Sequence, residues 1–261
     1  MLLAIDIDNR KADFGLFYKD KMLYNFSIKS NQDRSANELS LLIKLLLREK
    51  NINSGEIDDL IISSVVPEVD RTYEEVSKLI CGKSPIFITA GLKIGINIKY
   101  DNPKDVGSDR IIRAVGGKKL YKDNLIIISA TSITTIDYIN SKKEFLGGVI
   151  MPGASLFQES LARESAKLFQ VEIKKSDKIL GNSTTKAMQK GIYFAYQKAI
   201  SAIVEEIIKE NDLDIKETMI ISTGEFAKLL DDDKYKIQEI PYLGLFGLKI
   251  IYDLNTSIKN S

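Results

Sequence analysis

The order of the predicted elements constrains this chain more than any single residue does. Short apolar runs at 2–7, 12–18 and 22–28 read as three strands, with Tyr18-Lys19-Asp20-Lys21 as the hairpin turn between the last two. Ser35-Ala36-Asn37-Glu38 then has capping-box spacing, and Leu39, Leu42, Ile43 and Leu46 give the helix behind it an apolar face. A buried strand at 60–66 stops at Pro67, a helix carries Tyr73, Val76, Leu79 and Ile80, and a further strand spans 85–89. The same order returns later. Strands are predicted at 125–128, 134–139 and 145–150, with Lys142-Lys143-Glu144 at the turn between the last two, and a helix at 154–169. A long amphipathic helix over 184–209 carries Met188, Ile192, Ala195, Ala199, Ile203 and Ile207, before a strand at 219–221 and a last helix at 243–254.

Strand–strand–strand–helix thus occurs twice, with starts roughly 120 residues apart, which implies two related α/β halves around a cleft. No residue-level repeat and no Pro/Gly-rich linker marks the join. Polarity places it near 118–124, giving halves 1–118 and 119–261. The chain has 261 residues, which suits one large domain or two small ones.

Composition narrows the chemistry. There is no histidine, so Ser-His-Asp triads, His proton shuttles and His-ligated zinc are excluded, and acid–base work falls to Asp, Glu, Lys or Tyr. With 37 Lys plus Arg against 36 Asp plus Glu, the surface does not favour nucleic acid. The lone Cys81 allows no internal disulfide and reads as a small buried hydrophobe. The N-terminus lacks a basic leader, and no apolar run approaches the roughly 20 residues of a membrane span. The expectation is a soluble, cytoplasmic protein without a membrane partner.

Three segments can carry chemistry. Asp6-Ile7-Asp8-Asn9-Arg10 ends the first strand, where carboxylates can hold Mg²⁺ directly or through water, or simply make a polar hairpin turn. Val106-Gly107-Ser108-Asp109-Arg110 opens a helix. Its N–H groups and Arg110 suit a carboxylate or phosphate, and Asp109 can accept a proton from a hydroxyl; equally, Asp109 can merely compensate the helix dipole. Gly147-Gly148-Val149-Ile150-Met151-Pro152-Gly153 allows close backbone approach to a ligand but is otherwise unspecific turn chemistry.

Taken together with Ile61-Ile62-Ser63-Ser64-Val65-Val66-Pro67, Tyr100-Asp101-Asn102-Pro103 and Ala187-Met188-Gln189 followed by Gly191-Ile192, these segments resemble the type III pantothenate kinases over nearly the whole chain. That family lies within the actin-like superfamily of two-lobed phosphotransferases. The resemblance implies an α/β fold of two ribonuclease-H-like lobes around a central cleft. It implies ATP-dependent phosphorylation of pantothenate to 4'-phosphopantothenate, the first step of coenzyme A biosynthesis, by a homodimer with its substrate pocket at the subunit interface. By the same resemblance Asp109 is the general base and Arg110 holds the pantothenate carboxylate. Tyr100, Gly107 and Ser108 line the pocket, and Thr184 completes it. The nucleotide falls to Asp6, Asp8, Asn9, Arg10, Ser132 and Gly224, and the cations to Asp6 for Mg²⁺ and to Ser129 for a monovalent ion, K⁺ or NH₄⁺.

The nucleotide side departs from the family pattern. The first phosphate loop of the family reads DIGNT, and here Asp8 stands for its glycine and Arg10 for its threonine. The second reads DFGTA; here it is Ser129-Ala130-Thr131-Ser132-Ile133, so the metal-binding aspartate has become a serine. The third, ATGG, is Ser222-Thr223-Gly224-Glu225. One like-charge pair at 4 Å costs about 4 kcal/mol at an effective dielectric of 20, so Asp8 beside a polyphosphate is a real obstacle that Arg10 can offset. The pattern therefore keeps a second expectation open, a catalytically impaired paralogue acting as a pantothenate-binding subunit or as the heterodimer partner of an intact one.

Overall fold

The computed structural model describes residues 1–232 and 234–256. They fall into two compact units. The first comprises residues 1–96, 101–116 and the segment from 242 onward; the second comprises 97–100 and 117–241.

The sheet of the first unit contains β1 (Leu2–Ile7), β2 (Lys11–Tyr18), β3 (Lys21–Lys29), β4 (Asp59–Ser64) and β5 (Ile86–Phe87), in the order β3-β2-β1-β4-β5. β1 pairs antiparallel with β2 and parallel with β4. Strand alternation then sorts its side chains. Leu3, Ile5 and Ile7 join the core formed with α1 (Ala36–Arg48) and α2 (Pro67–Cys81). Leu2 and Ala4 face the opposite way, into a core with Ile112 and Val115 of α3 (Ser108–Leu120) and Leu245, Leu248 and Ile251 of α6 (Leu243–Thr256). Asp6 continues this second row, so strand alternation puts its carboxylate on the face that α3 and α6 cover. The capping box at α1 forms as expected, with Ser35 and Glu38 each accepting from the other's backbone N–H.

The second unit has six strands: β6 (Asn97–Ile98), β7 (Asn124–Ala130), β8 (Ile133–Ile139), β9 (Glu144–Pro152), β10 (Thr218–Thr223) and β11 (Ile237–Glu239), in the order β11-β10-β7-β8-β9-β6. Ile126, Ile128, Ile136 and Ile220 pack on Tyr196, Ile200 and Val204 of the long α5 (Thr184–Glu210) and on Ala154 of α4 (Ala154–Glu164). Buried Tyr196 exchanges a hydrogen bond with Thr134 Oγ1 at 2.7 Å, which satisfies both hydroxyls.

Several expectations shift. On α1 the expected Leu39 and Ile43 are buried, together with Ser40 and Leu47, whereas Leu42 is exposed and Leu46 only partly buried. Leu79 of α2 is also exposed. The helix expected over 154–169 stops at Glu164, and the strand expected over 85–89 has two residues. The buried stripe of α5 runs through Met188, Ile192, Tyr196, Ile200, Val204 and Ile207, while Ala195 faces solvent; the stripe fills the core of its own unit. Cys81 is half-buried, its Sγ 3.3 Å from the Ser77 carbonyl oxygen. Where polarity placed the join at 118/119, the change of unit falls between Gly116 and Gly117, inside α3. α6, from the half expected at 119–261, belongs to the first unit. Residues 257–261 of that half lie outside the described residues.

Candidate active site

In the first unit the end of β1 meets the start of α3. Gly107 precedes the helix, and its carbonyl accepts from the N–H groups of Arg110 and Ile111. Ser108 Oγ donates to the Ser64 carbonyl at 3.0 Å and receives Ser63 Oγ at 3.0 Å, which pins the helix start to the end of β4. One turn on, Arg113 Nη1 donates to Asp109 Oδ2, and Arg113 Nη2 lies 3.5 Å from Asp6 Oδ2. Arg113 is 6% exposed and Asp6 9%, so both side chains sit in a largely water-excluded space.

The free ends of the two acids differ. Asp6 Oδ1 is buried with no hydrogen-bond partner. Asp109 Oδ1 lies over Gly107, only 2.6 Å from where a Cβ would stand, so the absence of a side chain at 107 makes room for the carboxylate. Gly244, at the start of α6, does the same for Asp6, with a Cβ position 2.9 Å from Asp6 Oδ2. Burial pushes the Asp6 pKa up to about 7; Arg113 pulls it down, while Asp109, Asp13 and Asp8 add to the rise. Burial opposes the charge of Arg113, but Asp109 and Asp6 outweigh it and hold the guanidinium firmly protonated.

Asp8, Asn9 and Arg10 form the tight turn between β1 and β2. Asp8 N–H donates to the Lys11 carbonyl, and Asn9 N–H donates to Asp8 Oδ1 at 2.7 Å. Ser30 braces the turn, giving its Oγ to the Asp8 carbonyl and its N–H to the Arg10 carbonyl. Two N–H groups of the turn are thus engaged within it, one of them by the Asp8 carboxylate. Arg110, on the turn that carries Asp109, is 4% exposed.

In the second unit, Ser129 ends β7 with its hydroxyl buried and without a partner. Ser132 follows in the turn to β8, where its carbonyl accepts from Gly153 N–H. Gly224 adopts φ +99° after β10 and approaches the Ala130 carbonyl so closely that a Cβ would lie 2.6 Å away. Ser129, Ser132 and Gly224 therefore cluster at the end of β7. Tyr100 stacks at a tilt on Phe145, 6.1 Å between centroids. Thr184 is exposed in the first turn of α5, where Ser183 caps the helix through Lys186 N–H. The glycines of 147–153 serve the sheet itself: a Cβ at Gly148 would strike the Ile136 carbonyl and one at Gly153 the Thr131 carbonyl.

Sequence reading missed Arg113 and Gly244. Arg113 was findable, because it lies one helical turn after Asp109, at the spacing at which helix neighbours pair. Gly244 carried no local signal, since its neighbour Asp6 is remote in sequence.

A divalent cation fits Asp6 in one respect, the buried oxygen that no protein group satisfies. Among the described residues no three Asp, Glu or Cys side chains gather as a metal site, so water and phosphate oxygens would complete the coordination, as is usual for Mg²⁺. Ser129 offers one neutral oxygen and no charge, a poor fit to a monovalent cation held by a carboxylate.

The family model for type III pantothenate kinase matches residues 2–206. A type III pantothenate kinase from Bacillus cytotoxicus is 35% identical over 261 residues, covering 100% of this chain and 98% of the relative. One from Finegoldia magna is 38% identical over 256 residues, covering 98% of each. Among solved structures, a Campylobacter jejuni protein described as belonging to the Baf family matches with TM-score 0.60 at 18% identity, over 98% of this chain and 99% of that one. MreB 5 of Spiroplasma citri, bound to AMPPNP, matches with TM-score 0.58 at 12% identity, over 99% and 98%. These structures establish an actin-like α/β fold with two sheets, and the sequence relatives establish the rest: the chain belongs to the type III pantothenate kinase family.

Proposed function

We propose that the chain transfers the γ-phosphoryl group of ATP to the terminal hydroxyl of pantothenate, with Asp109 as general base. The observation that carries this reading is the carboxylate of Asp109, fixed through Oδ2 by Arg113 and leaving Oδ1 over Gly107, on the helix start that also bears Arg110. Asp109 Oδ1 takes the hydroxyl proton as the pantothenate oxygen bonds to the γ-phosphorus; the bond from that phosphorus to the β,γ-bridging oxygen breaks, and ADP leaves. Arg110 orients pantothenate through its carboxylate, and Tyr100, Gly107, Ser108 and Thr184 are its other contacts. Asp6 would hold Mg²⁺, which would supply positive charge to the phosphates. Asn9 and Arg10 receive phosphate oxygens, with Arg10 offsetting Asp8, and Ser132 and Gly224 take part in nucleotide binding. No step is assigned to K⁺ or NH₄⁺.

The family's chemistry, transfer from ATP, suits the cytoplasm as the place where the protein works. Among the described residues no helix is long and apolar enough to cross a membrane. It pairs as a homodimer. Support comes from apolar side chains that the second unit leaves outside, with Leu180 86% exposed, Ile179 66% and Ile150 61%.

The test is transfer of labelled phosphate from Mg-ATP to pantothenate by the purified chain and by Asp109→Asn. General-base loss lowers kcat by about 10²–10⁴-fold. A parent that makes no phosphopantothenate, or an Asn variant as fast as the parent, refutes the reading.

A further inference from the structure

We propose that Arg113 is a positioning residue and the resident cation of the site: it holds one oxygen of Asp6 and one of Asp109, and so fixes which oxygen each acid presents. The proposal rests on the kinase reading for its catalytic consequence, but not for its electrostatic one.

The geometry is specific. A guanidinium is planar and offers several donors in a fixed fork, so a single group can engage two carboxylates that approach from different elements. Nη1 takes Asp109 Oδ2 within the same helix, and Nη2 faces Asp6 Oδ2 from the strand. Each acid keeps its other oxygen off the arginine: Asp109 Oδ1 over Gly107, Asp6 Oδ1 buried and unpartnered. Without the arginine, two nearby carboxylates in a water-poor space repel, and each can rotate about its own χ2. With it, the pair is charge-compensated and its rotation is fixed before any nucleotide arrives. The room for this is built by two glycines from separate elements, Gly107 under Asp109 and Gly244 under Asp6. Asp13, opposite Asp6 in the β1–β2 register, has partners of its own, Lys11 Nζ at 2.9 Å and the Ser27 hydroxyl, which both donate to its Oδ1. Among the cationic side chains whose partners the structure gives, Arg113 is the one serving Asp6 and Asp109.

Two consequences separate this role from packing. The acids lose orientation when the fork is lost, so the chemical step suffers while pantothenate binding holds. The acids also lose their counter-charge, so they become a better site for a free divalent cation than they are in the parent.

The experiment compares the parent with Arg113→Gln and Arg113→Lys in the full chain. Steady-state kinetics give kcat and KM for pantothenate, and calorimetry with Mn²⁺ alone, without nucleotide, gives cation affinity. For Arg113→Gln, kcat falls about 100-fold, the cost of a misplaced catalytic group, with KM within about threefold. Mn²⁺ binds this variant at least about tenfold more tightly than the parent, since a fixed positive charge has left the pair. Arg113→Lys keeps the charge but not the fork, so its Mn²⁺ affinity stays near that of the parent while kcat falls less than in the Gln variant. Unchanged kcat in the Gln variant, a loss expressed only in KM, or Mn²⁺ affinity equal to the parent's would overturn the proposal. If the parent itself does not phosphorylate pantothenate, the kinase reading fails and the Mn²⁺ titration alone decides the role of Arg113. If the Gln variant does not fold, the Lys variant decides it: parent-like Mn²⁺ affinity with reduced kcat supports the role, and parent-like kcat refutes it.

Discussion

Arg113 Nη2 stands 3.5 Å from Asp6 Oδ2, so the last polar residue of the first strand is tied to the helix that carries Asp109. The strand places Asp6 by alternation, the helix places Arg113 one turn beyond Asp109, and neither position is set by a loop. A site built on rigid elements keeps its acids in register without a ligand. Its cost is electrostatic, because one oxygen of Asp6 is buried without a partner.

That cost sets a pH dependence. The Asp6 pKa rises from an ordinary 3.8 in the unfolded chain to about 7 in the folded one. Between these values the native state binds more protons than the unfolded state, so this group lowers stability as pH rises from about 4 to 7. Asp6→Asn lacks the penalty. Its stability advantage over the parent should therefore grow between pH 5 and pH 8, by about 2–3 kcal/mol, read from urea denaturation at both pH values. If Asp6 holds Mg²⁺ as proposed, the same variant also loses activity. An advantage that is flat with pH would show that Asp6 is ionised at ordinary carboxylate pKa.

Asp6 and Asp109 were legible as candidates from residues alone, the one as a carboxylate at a strand end and the other at a Gly-Ser helix start, while the roles proposed for them came from the family resemblance. The pairing of Asp6 with α3 and α6 was not legible, because sheet register and helix docking are long-range facts. The seat of α5 was not legible either, for a related reason. Its apolar stripe is equally consistent with a partner chain or with its own sheet, and only the packing of Tyr196, Ile200 and Val204 on β7, β8 and β10 decides for the sheet. The membership of α6 in the first unit is likewise invisible locally, since it depends on Gly247 meeting the Ile112 carbonyl.

The glycines of the first unit should separate fold from function. An added Cβ at Gly107 meets the end of a side chain, Asp109 Oδ1 at 2.6 Å, which can swing away. Gly107→Ala should keep its melting temperature within about 3 °C, under 1 kcal/mol, while kcat falls at least about tenfold as the base is displaced. An added Cβ at Gly247 meets backbone, the Ile112 carbonyl oxygen at 1.8 Å, which cannot move without shifting α3. Gly247→Ala should therefore cost about 3 kcal/mol or more and yield little folded protein. Thermal melts beside initial rates check both, and equal stability loss in the two variants would contradict the assignment.

The exposed Leu180 should matter for assembly and not for folding. At 86% exposed it contributes little to the core of its unit. Leu180→Glu should shift light-scattering mass toward the monomer at micromolar concentration, with a far-UV spectrum like the parent's. A parent that is already monomeric at these concentrations, or a variant that remains dimeric, would place the interface elsewhere or remove it.

The altered phosphate loops give the last prediction. Asp8 occupies Asn9 N–H with its own carboxylate, so Asp8→Gly frees that donor and removes a negative charge from beside the phosphates. If Arg10 offsets Asp8 as proposed, Arg10→Thr alone should bind ATP worse than the parent, whereas Asp8→Gly with Arg10→Thr should bind it better. Ser129 is 1% exposed and its hydroxyl lacks a partner, so Ser129→Asp places a charge where water barely reaches. That charge needs a counter-ion. Ser129→Asp should therefore melt below the parent in buffer free of K⁺ and NH₄⁺, and recover when K⁺ is added, while the melting temperature of the parent ignores K⁺. The triple variant, Asp8→Gly with Arg10→Thr and Ser129→Asp, should be faster than the parent and K⁺-dependent. Because the first two positions are coupled, their single effects will not sum to that of the triple. Melting curves with and without K⁺, beside rates for all four variants, test the scheme. A Ser129→Asp variant whose stability does not respond to K⁺ would show that the end of β7 is not a cation position in this chain, and a triple variant that binds ATP without gaining rate would place the limiting step outside the phosphate loops.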